Sequence, residues 1–224
     1  MVRCGRQSFL LALAALAIPA CGGGGGDDGN GGGNAQVLFK EDFSGAFPGT
    51  SWSAPFSTGS GTSIQIDSSG GDAALRMTTT DDPAFVGTTT SASFNSRPMT
   101  VSVKISSTGS GEGSGGFAIL DHTGASIAAA EWHAATPSGL TFRILSAVNP
   151  TPVAVPLAGS GFHTFTFTVS DSGEASWKLD GTTVMTQSAF PSDMVRVQLY
   201  DNVSSTSGSS FALFRFDDVT VTSP

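Results

Sequence analysis

Cysteine is almost absent from this chain of 224 residues, which contains only Cys4 and Cys21. No cysteine follows residue 21, so the long remainder of the chain can hold no disulfide of its own. It also offers no thiol nucleophile and no cysteine ligand for zinc. A disulfide-stapled scaffold and a thiol enzyme are therefore excluded.

Positive charge is also scarce, with 10 Lys and Arg against 18 Asp and Glu. The basic residues form no cluster, so the electrostatic footprint of a nucleic-acid-binding protein is missing. Long apolar runs are missing as well. The clearest run, Phe9 to Ile18, has roughly ten residues, which is typical of a signal-peptide core and too short for a transmembrane helix.

The N-terminal segment predicts export. Arg3 and Arg6 precede the apolar run, which ends in the sequence IPAC at residues 18–21. This sequence resembles the lipobox of bacterial lipoproteins, although Pro19 departs from the usual small or aliphatic residue. The resemblance implies a signal peptide over residues 1–20 and an acylated Cys21. The alternative is an ordinary secretory signal whose cleavage site adjoins a cysteine.

Glycine dominates residues 22–34, where it is interrupted mainly by Asp and Asn. Such a segment has no apolar side chains to bury, so residues 21–34 are predicted to be a lipidated cysteine followed by a flexible tether. The tether leads to a single domain over residues 35–224. Gly22 follows the cysteine where an Asp would retain a lipoprotein at an inner membrane, so the resemblance implies the outer membrane or cell surface.

Alternation of apolar and polar residues predicts an all-β domain. Residues 162–169, FHTFTFTV, place Phe165, Phe167 and Val169 on one face and threonines on the other. Asp180-Gly181 predicts a tight hairpin turn after another alternating segment. Abundant Ser, Thr and Gly suit small polar outer faces and short turns. An antiparallel two-sheet β-sandwich is therefore predicted.

Two segments allow more than one interpretation. Ser126–His133 has helix-favouring alanines, but its position between strands favours a strand. Gly111, Gly113 and Gly116 satisfy the spacing of a dinucleotide-binding loop. A strand rather than a helix is predicted to follow, so no helix N-terminus would meet a phosphate, and these glycines are interpreted as a loop.

The order of elements resembles the concanavalin A-like (laminin-G-like) jelly rolls. The resemblance covers Val37 to Thr222 and rests on the order of weak motifs. They are EDFSG at 41–45, GGFAILD at 115–121, FHTFT at 162–166, WKLDG at 177–181 and FDDVTV at 216–221. A galactose-binding-like sandwich is the alternative. Both families imply a carbohydrate ligand on one sheet or its rim.

Both families also imply a structural calcium ion near the paired chain ends. Glu41, Asp42, Asp217 and Asp218 are the matching positions, and carboxylate oxygens are the ligands that calcium prefers. The alternative is that these acids lie exposed at strand ends. No other cofactor is predicted.

Catalytic signatures are missing. The Glu-x-Asp-x-x-Glu strand of the glucanases on this fold does not occur, nor do recognisable lyase motifs, a Gly-x-Ser-x-Gly elbow or a His-Glu-x-x-His helix. The sequence therefore leaves enzymatic activity uncertain and favours a non-enzyme.

Six polar residues are candidates for ligand binding on strand faces. Three predicted strands supply these residues, which are Glu131, His133, Arg143, Arg196, Gln198 and Tyr200. Trp132 could stack on a sugar ring if exposed, but Trp132 and Trp177 are predicted to lie in the core. The alternative interpretation, that these polar residues form the solvated exterior of strands, is the favoured one.

The sequence therefore supports three functions. The first is a surface-anchored, non-catalytic carbohydrate-binding or adhesion module. The second is a diverged polysaccharide hydrolase or lyase that uses Glu131, His133, Arg143 or Tyr200 in acid–base roles. The third is a structural envelope protein with a protein partner.

Overall fold

A computed structural model describes residues 35–80, 83–110, 113–133, 139–144, 151–153, 161–188, 190, 195–203 and 211–223. All of them lie within one compact unit, Gly33–Pro224. The signal peptide, the lipidated Cys21 and the tether predicted from the sequence lie outside the described residues. No helix among the described residues is long and apolar enough to cross a membrane.

The described residues form strands and connecting turns, without a helix. The strands are β1 (Gln36–Glu41), β2 (Phe56–Thr58), β3 (Thr62–Asp67), β4 (Ala74–Thr79), β5 (Ala84–Thr89), β6 (Met99–Ser110), β7 (Gly113–Leu120), β8 (Ser126–His133), β9 (Leu140–Ile144), β10 (Thr151–Val153), β11 (His163–Val169), β12 (Ala175–Leu179), β13 (Thr182–Gln187), β14 (Arg196–Val203) and β15 (Phe211–Ser223).

The strands form two antiparallel sheets. Sheet I has the order β13-β12-β11-β6-β15-β4-β3, with β1 also paired to β15. Sheet II has the order β10-β9-β8-β7-β14-β5-β2. Strand β15 pairs with β6 along one edge, and its other edge is shared by β4 and then β1. The chain ends of the domain therefore meet in sheet I, which leaves sheet II built from the middle of the sequence.

Apolar side chains from the two sheets meet in one core. Trp177 of sheet I lies at its centre, with ring centroids 4.8 Å from Phe167, 5.0 Å from Phe117 and 5.7 Å from Phe142. Phe117 and Phe142 belong to sheet II, so these contacts join the sheets. Trp177 and Trp132 are both buried, which confirms their prediction as core residues.

Several local predictions are confirmed. Ser126–His133 is a strand, as predicted. Its alanines are buried against both faces of the sheet, and Glu131 and His133 share the outer face. The hairpin at Asp180-Gly181 joins β12 to β13, and both turn residues have positive φ, 48° and 81°. The left-handed backbone at the turn is what an Asp-Gly pair accommodates at small cost.

The glycine-rich segment differs from its prediction. Gly113 belongs to β7 rather than to a loop, and Gly116, where a strand to Leu120 is predicted to begin, lies inside β7. A Cβ on Gly115 would lie 2.6 Å from the Phe214 ring, and one on Gly116 would lie 2.0 Å from the Ala130 carbonyl oxygen. Close packing on both faces of β7 therefore requires these glycines. Strands β2 and β10 were not predicted, since three residues are too few to show a period.

Candidate functional site

The outer face of sheet II brings together residues from five strands in one row. Strand registers place Glu131 of β8 opposite Gly116 of β7, and Gly116 opposite Tyr200 of β14. Tyr200 lies opposite Gly87 of β5, which in turn lies opposite Phe56 of β2. Because alternate positions of this row are glycines, the larger side chains between them can spread sideways across the sheet.

A shallow groove of about 180 Å³ lies over this row. The residues beside the row come from the neighbouring outward positions of the same strands. The lining residues are Phe85, Ala118, Ser126, Glu131, Gln198, Tyr200 and Asn202. Five of the seven carry polar side chains, so the groove combines an apolar floor with hydrogen-bonding groups of both kinds.

Three aromatic rings have nearly parallel planes: Tyr200 and Phe85 line the groove, and Phe56 stacks on Phe85 beyond it. The Phe56 and Phe85 centroids are 5.7 Å apart at an interplanar angle of 22°, and those of Phe85 and Tyr200 are 5.9 Å apart at 13°. Phe56 is 41% exposed although it is a large apolar residue. The exposed Phe56 ring continues the half-buried Phe85 ring and the buried Tyr200 ring, so the apolar surface of the groove reaches solvent.

Acid–base groups lie at the other end of the row. The Tyr200 hydroxyl donates a hydrogen bond to Glu131 Oε2 at 3.3 Å. Glu131 Oε1 lies 3.7 Å from His133 Nε2, and the two side chains are 24% and 41% exposed. The buried Tyr200 hydroxyl is therefore hydrogen-bonded to the Glu131 carboxylate, and the His133 imidazole lies beside that carboxylate at longer than hydrogen-bond distance. Each of these groups can accept or donate a proton.

The structure groups four of the six predicted ligand-binding residues. Glu131, Gln198 and Tyr200 line the groove, and His133 adjoins Glu131. Arg196 shares their face of β14 but lies beyond the groove, beside the turn at Gly124. Arg143 pairs through its backbone with Ala129, and its side chain lies outside the described part of the structure.

Four residues in or beside the groove were not predicted from the sequence: Phe56, Phe85, Ser126 and Asn202. Asn202 was within reach, because it continues the alternation of Gln198 and Tyr200 by one more step along β14. The two phenylalanines were not, since they join the site only through the pairing of β14 with β5 and of β5 with β2.

The four acids proposed for calcium do not converge. Glu41 accepts hydrogen bonds from the Phe43 backbone N–H and the Trp52 indole, while Asp218 forms an ion pair with Lys104. Asp42 accepts hydrogen bonds from the Ser44 hydroxyl and backbone N–H, which hold the pKa of Asp42 below its usual range.

Asp217 accepts a hydrogen bond from the Asp218 backbone N–H, and burial raises the pKa of Asp217. Within the described ranges, no three His, Cys, Asp or Glu side chains group closely enough to hold a metal ion. A calcium site at Glu41, Asp42, Asp217 and Asp218 therefore stays a prediction from the resemblance.

The chain matches no family model and no curated protein. Its fold does resemble solved structures. A laminarinase catalytic domain (endo-1,3-beta-glucanase) from Thermotoga petrophila aligns with a TM-score of 0.59 at 11% identity, over 85% of this chain and 98% of that one. The Bacillus licheniformis beta-glucanase aligns with a TM-score of 0.58 at 13% identity, over 83% and 98%.

A sialidase also aligns, with a TM-score of 0.60 at 14% identity, over 84% of this chain. The chain spans only 18% of the length of that sialidase. Identities this low establish the fold alone. Together with the two antiparallel sheets, they confirm the predicted concanavalin A-like jelly roll.

Proposed function

We propose that this protein binds a polysaccharide in the groove on the outer face of sheet II. The proposal rests on the combination of aligned rings and polar groups in and beside one row of the sheet. Sugars present apolar ring faces and dense hydroxyls, so they need both an apolar surface and paired donors and acceptors. The jelly-roll relatives named as glucanases support a carbohydrate ligand.

The groove is proposed as a binding site without turnover. It lies on a sheet face and is open to solvent, and its carboxylate, Glu131, has no second carboxylate among the described lining residues. A glycosidase ordinarily needs two carboxyl groups on opposite sides of the scissile bond. A non-catalytic carbohydrate-binding or adhesion module fits this arrangement.

The purified chain should be retained selectively on one member of a panel of immobilised polysaccharides. Gln198→Ala and Asn202→Ala each remove a hydrogen-bonding group, and Phe56→Ala removes the exposed ring. Each should weaken retention roughly tenfold, the effect of losing about one hydrogen bond or one ring contact. Affinity electrophoresis in gels containing the retained polymer gives the ratio directly.

Thr166→Ala is the matched control, because Thr166 is a half-buried polar residue on the outer face of sheet I. It should leave retention unchanged. Retention by no polymer in the panel would contradict the proposal. Equal retention of the three groove variants and the wild type would place binding elsewhere on the molecule.

A diverged lyase or hydrolase is the second candidate, and the chain of groups from Tyr200 through Glu131 to His133 favours it. Under this alternative, the retained polymer would be cleaved. Tyr200→Phe and Glu131→Gln would then abolish product formation while preserving most binding. No new reducing ends and no unsaturated sugar products from any retained polymer would contradict catalysis.

Export and anchoring are proposed from the N-terminal sequence. Acyl chains contribute roughly 0.8 kcal/mol for each buried methylene, so an acylated Cys21 would hold the chain firmly at an outer-membrane or cell-surface location. Cys21→Ala should move the chain from the membrane fraction to the soluble fraction when it is expressed in a bacterium that makes lipoproteins. Equal membrane association of Cys21→Ala and the wild type would contradict lipid anchoring at this residue.

A further inference from the structure

Two arginines lie side by side on the outer face of sheet I, the sheet opposite the groove. Strand registers place Arg215 of β15 directly opposite Arg76 of β4. Gln65 of β3 lies beyond Arg76, and Ser106 of β6 lies beyond Arg215. Pairs of like charge at directly opposed positions of antiparallel strands are destabilising. The chain has only 10 Lys and Arg in all, and two of them lie where their charges repel each other.

The charge of this pair is only partly compensated. Asp67 Oδ2 lies 3.6 Å from Arg215 Nε, which is an ion pair at longer than hydrogen-bond distance. Arg76 forms no ion pair or hydrogen bond with any residue that the structure describes. The Nε atoms of both arginines are shielded from solvent and lack hydrogen-bond partners there. Two guanidinium groups therefore share one carboxylate, and Lys104 nearby is already paired with Asp218.

Arg215 is held in place by contacts on two sides. Its Cζ lies 5.6 Å from the centroid of the Phe162 ring. On the other side is the turn at Gly70, where a Cβ would come within 3.2 Å of Arg215 Nη2. The guanidinium is therefore positioned without a full set of hydrogen bonds. Phe162 itself is 39% exposed, so an apolar ring surface adjoins the charged pair.

We propose that Arg76 and Arg215 form a second binding site, for a carboxylate or sulfate group carried on a glycan. Guanidinium groups match the two oxygens of such an oxyanion with parallel N–H donors. The exposed part of Phe162 would contact the sugar ring that carries the charged group. This site is independent of the groove on sheet II, because the two lie on opposite outer faces of the sandwich.

The test uses the purified chain on three immobilised polymers at low and moderate salt. Polygalacturonate presents carboxylates, dextran sulfate presents sulfates, and dextran presents neither. We expect retention on at least one of the two charged polymers, weakening as salt rises because the contacts are ionic. Retention on polygalacturonate alone would assign the site to carboxylates, and retention on dextran sulfate alone would assign it to sulfates. Retention on neither would overturn the proposal.

Substitutions at Arg76 and at Lys178 test whether the charged polymer binds at the arginine pair. Arg76→Gln should weaken retention roughly tenfold or more, since it removes charge-assisted hydrogen bonds. Arg76→Lys, which keeps the charge but loses the paired donors, should also weaken it. Lys178→Gln is the matched control, because it removes a half-buried cation from β12 of the same sheet. Its retention should equal that of the wild type, and unfolding midpoints should confirm that all three variants fold.

Three outcomes would contradict the proposal. Equal losses in Arg76→Gln and Lys178→Gln would indicate attraction to overall charge rather than a site. Full retention of Arg76→Lys would exclude recognition by paired donors. Loss of retention in Gln198→Ala, with none in Arg76→Gln, would place the charged polymer in the groove of sheet II.

Discussion

Gly116→Ala should lower the free energy of unfolding by about 3 kcal/mol or more, at the upper end of what overpacking costs. The Cβ that the substitution adds would lie 2.0 Å from the Ala130 carbonyl oxygen, which is backbone and cannot rotate away. Strands β7 and β8 would have to separate at the centre of sheet II. Urea denaturation followed by tryptophan fluorescence measures the change, since Trp132 and Trp177 are buried.

The same substitution should also disturb the groove. Gly116 lies between Glu131 and Tyr200 in the row. Separation of β7 from β8 would therefore break the hydrogen bond from the Tyr200 hydroxyl to the Glu131 carboxylate. Gly161→Ala is the control, because nothing lies within 4 Å of the Cβ that it would add. That variant should unfold within about 0.5 kcal/mol of the wild type. An unchanged midpoint for Gly116→Ala would contradict the close pairing of β7 with β8.

Asp201 gives the second large effect, because it is a fully buried carboxyl group pointing into the sandwich. Tyr200 and Asn202, its neighbours along β14, face outward, whereas Asp201 faces inward and is 0% exposed. Burial raises the pKa of Asp201 from 3.8 to about 7. Neither carboxyl oxygen lies within hydrogen-bond geometry of a partner in the described ranges, and the same holds for the Thr79 hydroxyl.

The domain should therefore lose stability as the pH rises from about 4 to about 7. In this window the folded state keeps the proton of Asp201 while the unfolded state releases it, so rising pH favours unfolding. The stability that the protonated Asp201 contributes is fully present below pH 4 and is lost as the pH rises to about 7. Above that pH, Asp201 causes no further change in stability. A pKa displaced from 3.8 to about 7 corresponds to roughly 4 kcal/mol.

Asp201→Asn should remove this pH dependence, because the amide has a similar shape and does not titrate. The difference in free energy of unfolding between the variant and the wild type should shift by several kcal/mol in favour of the variant from pH 4 to pH 8. Urea denaturation at a series of pH values across that range measures this difference. The exposed Asp171→Asn should follow the wild-type curve. Parallel curves for wild type and Asp201→Asn would show that the carboxyl group is not held protonated by burial.

Much of the fold could be predicted from the sequence because alternation is a local signal. FHTFTFTV at 162–169 shows its buried and exposed faces directly, and Asp180-Gly181 marks its turn by residue type. β7 was harder to delimit, since its first residues are Gly and Ser, whose small side chains show no apolar period. The need for glycine there comes from Phe214 and Ala130 on other strands, which no local pattern reveals.

The candidate site could be predicted only in part, for the same physical reason. Glu131 and His133 share a strand, as do Gln198 and Tyr200, so alternation alone places each pair on one face. That both pairs share one groove depends on β7 lying between β8 and β14, which is set by long-range pairing. The calcium site proposed at the chain ends stays a prediction, because nearness of the chain ends does not fix where the side chains of its acids point.

Glycan binding in the groove of sheet II is best tested by mapping where a glycan contacts the protein. Backbone amide signals of the isotope-labelled chain would be followed by NMR during titration with an oligosaccharide cut from the polymer that retains it. Binding in the groove should shift signals in β5, β8 and β14, near Phe85, Glu131 and Gln198, and leave those of β11 and β12 unaffected. Shifts confined to sheet I, or none with any oligosaccharide tested, would contradict glycan binding in the groove of sheet II.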